Sequence, residues 1–161
     1  MRVLDRFILG LASVGYIGFF PWIPGTVGTV AGVAVFFLYS ALPPVLYVVS
    51  TAGLTALACW ASGKAEILLG RKDDRRIVID EVAGYLVTMA FLPRTWAAVV
   101  GGFLFFRLLD IMKPFPAGRI NDRMPGGPGV VLDDVVAGLY ANLLLHAASL
   151  FRPEIALLLD R

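Results

Sequence analysis

FILGLASVGYIGFFPWIPGTVGTVAGVAVFFLYSALPPVLYVVSTAGLTALACWASG, residues 7–63, contains no Asp, Glu, Lys, Arg or His. Roughly 20 apolar residues cross the hydrocarbon of a bilayer, so this run is long enough for more than one crossing. Pro43-Pro44 breaks it, because proline removes a helix N–H and clashes with the preceding turn. The break predicts an antiparallel helix pair over residues 27–42 and 45–63. Three more apolar stretches follow at residues 77–92, ending at Pro93, at 96–112, ending at Lys113-Pro114, and at 130–151. Residues 7–20 are interrupted by Gly10, Gly15 and Gly18 and followed by Pro21, Pro24 and Gly25, which predicts an interfacial or re-entrant helix. The expected fold is all-α. It is a single membrane-embedded domain over residues 1–161, an integral membrane bundle of about five transmembrane helices plus that N-terminal segment.

Composition agrees with this class. Hydrophobic residues make up 58% of the chain and charged residues 16%, against about 25% charged in soluble domains. No charged n-region, short apolar core and small-residue cleavage site stand at the start, so no cleaved signal peptide is expected. The net charge of +2 is modest and the basic residues sit in loops, which argues against nucleic acid as a partner. Cys59 is the only cysteine and lies in an apolar run, where a thiol acts mainly as a packing group.

Basic residues set the expected orientation. With five spans, Arg2, Arg6, Lys64, Arg71, Lys72, Arg75, Arg76, Lys113, Arg119 and Arg123 fall on one side, and Arg94, Arg152 and Arg161 on the other. Cytoplasmic loops carry the excess of Lys and Arg, so the first group is expected in the cytoplasm. On this topology the Gly25–Thr29 turn, Asp80, Glu81, Asp110, Asp133 and Asp134 all lie at cytoplasmic helix ends, although none of them was used to orient the chain.

Carboxylates at the mouths of apolar helices are costly unless they face a partner, a wet cavity or a metal. Asp80-Glu81 opens the third apolar stretch; a helix cap explains one acid there, and a second suggests Mg2+, which prefers oxygen ligands. Arg107, Asp110 and Lys113 recur every three residues, which puts them on one drifting helix face, as an intrahelical ion pair with a snorkelling lysine or as a phosphate-holding set beside a metal-bound carboxylate. Asp122-Arg123 is either a solvated loop pair or part of the site, and Gly126-Gly127-Pro128-Gly129 leads into Asp133-Asp134. Pro24-Gly25-Thr26-Val27-Gly28-Thr29 opens the first span with small residues whose exposed N–H groups suit an anion, or which serve helix packing. His146, the only histidine, lies deep in the last apolar stretch, so a histidine nucleophile has no partner at the acidic mouth. Metal-assisted phosphoryl transfer remains.

Together these motifs, Pro-Gly-Thr-x-Gly at 24–28, Asp80-Glu81, Phe106-Arg107-x-x-Asp110-x-x-Lys113-Pro114-x-Pro116, Asp122-Arg123 and Gly126-Gly127-x-Gly129-x-x-x-Asp133-Asp134, resemble the phosphatidylglycerophosphatase A family. The resemblance covers roughly residues 25–140. It implies a Mg2+-dependent enzyme of the bacterial inner membrane, with an all-helical core. Such an enzyme removes the terminal phosphate of phosphatidylglycerophosphate to leave phosphatidylglycerol. On that basis Asp80, Glu81, Asp133 and Asp134 are expected to hold one or two Mg2+ ions, with Asp110 a further ligand or a base. Arg107, Lys113 and Arg123 are expected to neutralise the phosphate, and Thr26 with the Gly25–Gly28 backbone to seat the headgroup. The alternatives are a Mg2+-dependent phosphatidyltransferase, whose Asp-Gly-x-x-Ala-Arg run is missing, and a divalent-cation transporter, which would need polar groups through the full bilayer depth. Small-residue runs leave homo-oligomers open without counting subunits.

Overall fold

The computed structural model describes residues 2–151. In chain order the helices are α1 (Val3–Ala12), α2 (Pro24–Tyr39), α3 (Pro44–Leu69), α4 (Ile79–Thr88), α5 (Trp96–Met112), α6 (Ala117–Arg123) and α7 (Gly127–Phe151), with a short 3-10 turn at Ile17–Phe19. No strand occurs among the described residues, as expected for an all-α chain. Arg152 and Arg161, two of the basic residues used to orient the chain, lie outside them.

Local chemistry sets the helix ends. Pro24 and Pro44 begin α2 and α3, where a missing N–H costs nothing. α3 stops at Gly70, whose φ of +66° is a left-handed cap. α5 starts where the Thr95 hydroxyl accepts the Ala98 N–H at 3.3 Å. It ends with Lys113 turned into the left-handed region, φ +44°, directly before Pro114.

The third apolar stretch departs from expectation. Instead of a span over residues 77–92, the chain forms α4, ten residues long, about 15 Å or half the hydrocarbon thickness. α4 packs against α2, α3, α5 and α7 at once, and eight of its ten residues are buried. Lipid does not contact most of this helix, so its length need not match the bilayer. Carbonyls at and just beyond its C-terminus are met from α7: Asn142 Nδ2 donates to those of Thr88 and Ala90, both at 2.8 Å. Two helices among the described residues, Pro44–Leu69 and Gly127–Leu150, are long and apolar enough to cross a membrane, and Pro24–Tyr39 is a shorter apolar helix. Five full-length crossings do not follow from these lengths.

The core gathers around Tyr85 of α4. Its ring meets Phe36 and Phe106 edge-on at centroid distances of 6.4 and 6.3 Å, and its hydroxyl donates to the Val99 carbonyl at 2.9 Å. Tyr47 of α3 donates to the Leu86 carbonyl at 2.6 Å. Each aromatic body is thus buried with its polar tip satisfied. Outside, Val45, Leu46, Val48 and Val49 of α3, Leu104 and Leu108 of α5 and Leu139, Leu143 and Leu144 of α7 are exposed, an apolar surface too extensive for a protein bathed in water. The N-terminal segment forms no span: α1 is ten residues long, buries Ile8, Leu9 and Ala12, and leaves Val3, Leu4 and Phe7 exposed.

The loop entering α4 is held by charge. Buried Asp74 accepts from Arg76 Nε at 2.7 Å and Nη2 at 2.8 Å, and the Val78 N–H reaches back to the Ala12 carbonyl at 2.9 Å. The hydrogen bond from Arg76 holds the Asp74 carboxyl below its ordinary value of 3.8. A depressed folded-state pKa contributes stability that is present above the unfolded value and lost as pH falls through the folded one. Asp74→Asn is therefore expected to melt below the wild-type protein at neutral pH, with the difference shrinking below about pH 4. A thermal-melting series in detergent across that range checks it; a gap independent of pH would remove the ionic explanation.

Candidate active site

α4 and α7 lie side by side with their N-termini at the same end of the bundle. That register brings together Asp80 and Glu81, in the first turn of α4, and Asp134 of α7. One oxygen from each of these three lies within 4.8 Å of the others. Asp80 and Asp134 are 7% and 4% exposed. At such a separation each charged pair repels by roughly 3.5 kcal/mol at an effective dielectric near 20, so this arrangement calls for a counter-charge.

Arg107 of α5 forms an ion pair with Asp110 one turn along and also lies 3.7 Å from Glu81 Oε1. The first turn of α2 closes over this pair. A Cβ on Gly25 would stand 2.3 Å from Glu81 Oε1 and 3.1 Å from the Arg107 guanidinium, and one on Gly28 would stand 2.8 Å from Val78 Cβ. Glycine is what lets the α2 backbone, with its free first-turn N–H groups, come so near. Thr26 sits half-buried in the same turn, and the Thr29 hydroxyl is turned back onto the Gly25 carbonyl at 3.0 Å.

Asp133 faces a different set of partners from Asp134. It is 1% exposed, pairs with Lys113 and accepts from Asn121 Nδ2 at 3.0 Å. The five expected metal ligands therefore divide: Asp80, Glu81 and Asp134 converge, while Asp110 and Asp133 flank them, each engaged by a base. Arg123, expected at the phosphate, is exposed and lines a cleft with Glu66, Arg71, Lys72 and Met124. Residues two apart on a helix face nearly opposite ways, so α6 turns Asn121 toward Asp133 and Arg123 away. Asn121 and Asp73 are participants that the motifs did not single out for a role; Asp73 stands in the charged run 71–76, whose composition reads as a solvated loop.

Three buried polar atoms at this site have no hydrogen-bond partner among the described residues: Glu81 Oε2, Asp133 Oδ1 and Arg107 Nε. The unpaired oxygen on Glu81, which converges with Asp80 and Asp134, fits a hard cation, and the unpaired N–H of Arg107, whose guanidinium lies 3.7 Å from Glu81, fits an anion.

A family model described as Phosphatidylglycerophosphatase A matches residues 10–149. The chain belongs to the phosphatidylglycerophosphatase A family. It is accordingly a lipid phosphatase. It is 33% identical over 111 residues to Phosphatidylglycerophosphatase A of Haemophilus influenzae, covering 68% of each chain. Against Phosphatidylglycerophosphatase A of Escherichia coli it is 33% identical over 138 residues, covering 84% of this chain and 80% of that one. Against a Putative phosphatidylinositol-3-phosphatase of Bacteroides thetaiotaomicron it is 35% identical over 118 residues, covering 69% and 73%. No solved structure matches the chain. The matched region includes every residue of the pocket described above, so family membership and geometry bear on the same part of the chain.

Proposed function

We propose that this phosphatidylglycerophosphatase A family member hydrolyses the terminal phosphate of phosphatidylglycerophosphate to give phosphatidylglycerol. The reaction uses Mg2+ and takes place at the cytoplasmic face of a bacterial inner membrane. The observation that carries the reading is the trio of orphaned buried atoms, Glu81 Oε2, Asp133 Oδ1 and Arg107 Nε. Glu81, with an oxygen lacking a donor, stands 3.7 Å from the guanidinium whose Nε lacks an acceptor, an arrangement complementary to a cation and a phosphate bound together.

Asp80, Glu81 and Asp134 are the residues we assign to hold Mg2+, with Asp133 at the edge of the set. When bound, the ion supplies Lewis-acid polarisation of a phosphoryl oxygen and offsets the charge of the carboxylates. Arg107 and Lys113 hold the phosphate oxygens as charge shifts during transfer. Water adds to phosphorus, the bond from phosphorus to the headgroup oxygen breaks, and the proton released by water passes by way of Asp110 to the departing alkoxide. The Gly25–Gly28 backbone and Thr26 border the headgroup. Opening at a helix-end plane lets the acyl chains stay in the leaflet while the headgroup enters sideways. The excess of Lys and Arg at this end supports a cytoplasmic mouth, in a multi-pass chain whose α4 is enclosed by the other helices.

The test is phosphate release from phosphatidylglycerophosphate in mixed micelles by the purified protein. Release is expected with Mg2+, lost on chelation and restored on adding Mg2+ back. Undiminished release under chelator would remove the metal from the proposal. Because one relative is named for a phosphoinositide, phosphatidylinositol 3-phosphate belongs in a parallel arm, and preference for it would reassign the headgroup.

A further inference from the structure

We infer that Asp73 is a positioning residue for the phosphate-binding lysine: it holds Asn121 and Lys113 at the lip of the carboxylate pocket. This rests on the hydrolase reading above. Asp73 adopts a left-handed backbone, φ +50°, a region that Asp enters more readily than most residues with a side chain. Glu66 near the end of α3 tethers it there: Glu66 Oε1 accepts the Asp73 N–H at 2.7 Å. So placed, Asp73 Oδ2 accepts from Asn121 Nδ2 at 2.9 Å and lies 4.0 Å from Lys113 Nζ. The same Asn121 amide donates to Asp133 Oδ2 at 3.0 Å. The neighbouring Lys72 donates to the Asn121 and Asp122 carbonyls at 2.7 and 3.2 Å.

Residues 72 and 73 thus grip both the backbone and the side chain of α6. That helix has only seven residues and is too short to hold its own conformation. Lys113 stands between two carboxylates, Asp133 on the pocket side and Asp73 on the solvent side. Its side chain is one-third exposed, and that of Asp73 is 42% exposed. An ion pair so open to water adds little to stability. Lys113 is paired with Asp133 and stands 4.0 Å from Asp73; the Asp73 charge, joined to Asp133 through Asn121, fixes that pair at the lip, where an incoming phosphate meets the ammonium.

Asp73→Asn removes the charge and keeps the backbone, since Asn tolerates the left-handed region as Asp does. A phosphate monoester is already charged in the ground state, so a misplaced lysine weakens substrate binding more than turnover. Phosphatidylglycerophosphate hydrolysis by Asp73→Asn is expected to show a KM raised about tenfold, with kcat within about twofold. In a Lys113→Met background the same change is expected to add less than about twofold, because the lysine through which Asp73 acts is gone. An unchanged KM, an equal rise in both backgrounds, or a loss that appears as a lower melting temperature would overturn the inference. Should Asp73→Asn fail to fold, Asn121→Ala cuts the same bridge from its other end and is held to the same non-additivity with Lys113→Met. Inactivity of the wild-type protein would count against the hydrolase reading, whereas an active wild type with an unaltered Asp73→Asn counts against Asp73 alone.

Discussion

Asp134→Asn is expected to lower phosphatase turnover by at least about 100-fold, with helicity retained and melting temperature unchanged or raised. Asp134 is 4% exposed and shares its pocket with Asp80 and Glu81, all three oxygens lying within 4.8 Å. Asparagine has nearly the same shape but no charge, so substitution relieves repulsion in the free protein while removing a ligand oxygen. Loss of activity without loss of stability is the signature of a site whose residues are placed for chemistry at a cost to folding. Asp80→Asn should behave the same way for the same reason. Phosphate release and circular dichroism on the same preparations decide it, and full activity in both variants would place the reaction elsewhere.

Gly138→Ala is expected to destabilise the protein by about 3–5 kcal/mol and to remove activity with it. A Cβ at Gly138 would lie 2.2 Å from the Gly84 carbonyl oxygen and 3.1 Å from its carbon. From the other side, a Cβ at Gly84 would lie 2.7 Å from the Asp134 carbonyl oxygen and 2.6 Å from the Phe106 ring. Backbone faces backbone at this crossing, so no side-chain rotation can make room and α4 must move away from α7. The carboxylates of Asp80 and Glu81 would move with it. Gly53→Ala is the contrast: nothing lies within 4 Å of its added methyl, and the exchange should raise stability by up to about 1 kcal/mol through helix propensity. Melting curves in one detergent for both variants test the claim; equal small shifts would show the α4–α7 contact to be slack.

The acids show where a linear pattern stops being informative. Asp80, Glu81, Asp110, Asp133 and Asp134 were all recognisable because each breaks an apolar run near its end, where an unpaired charge is expensive. Their division was not recognisable. Adjacent Asp133 and Asp134 project about 100° apart around α7, and one joins Asp80 and Glu81 while the other joins Lys113 and Asn121. Arg123 looked as suitable a phosphate ligand as Arg107, yet the rotation of α6 turns it outward. Asp73 carried no signal at all, because a charged run between helices looks the same whether it is merely solvated or gripping a distant helix.

Residue order alone pointed to a helical chain suited to lipid, to carboxylates at the ends of its apolar runs, and to the family its motifs resemble. Each of these follows from costs that a single segment bears: burying a charge, interrupting a helix with proline, or leaving a long apolar run in water. Folding in three dimensions settled that α4 is a short enclosed helix instead of a span, which three of the five acids converge, and that Asp73 reaches Asn121 across 48 positions. Those outcomes depend on how closely backbones approach and how each helix is rotated against its neighbours, quantities set jointly by all the packed surfaces and written in no single segment.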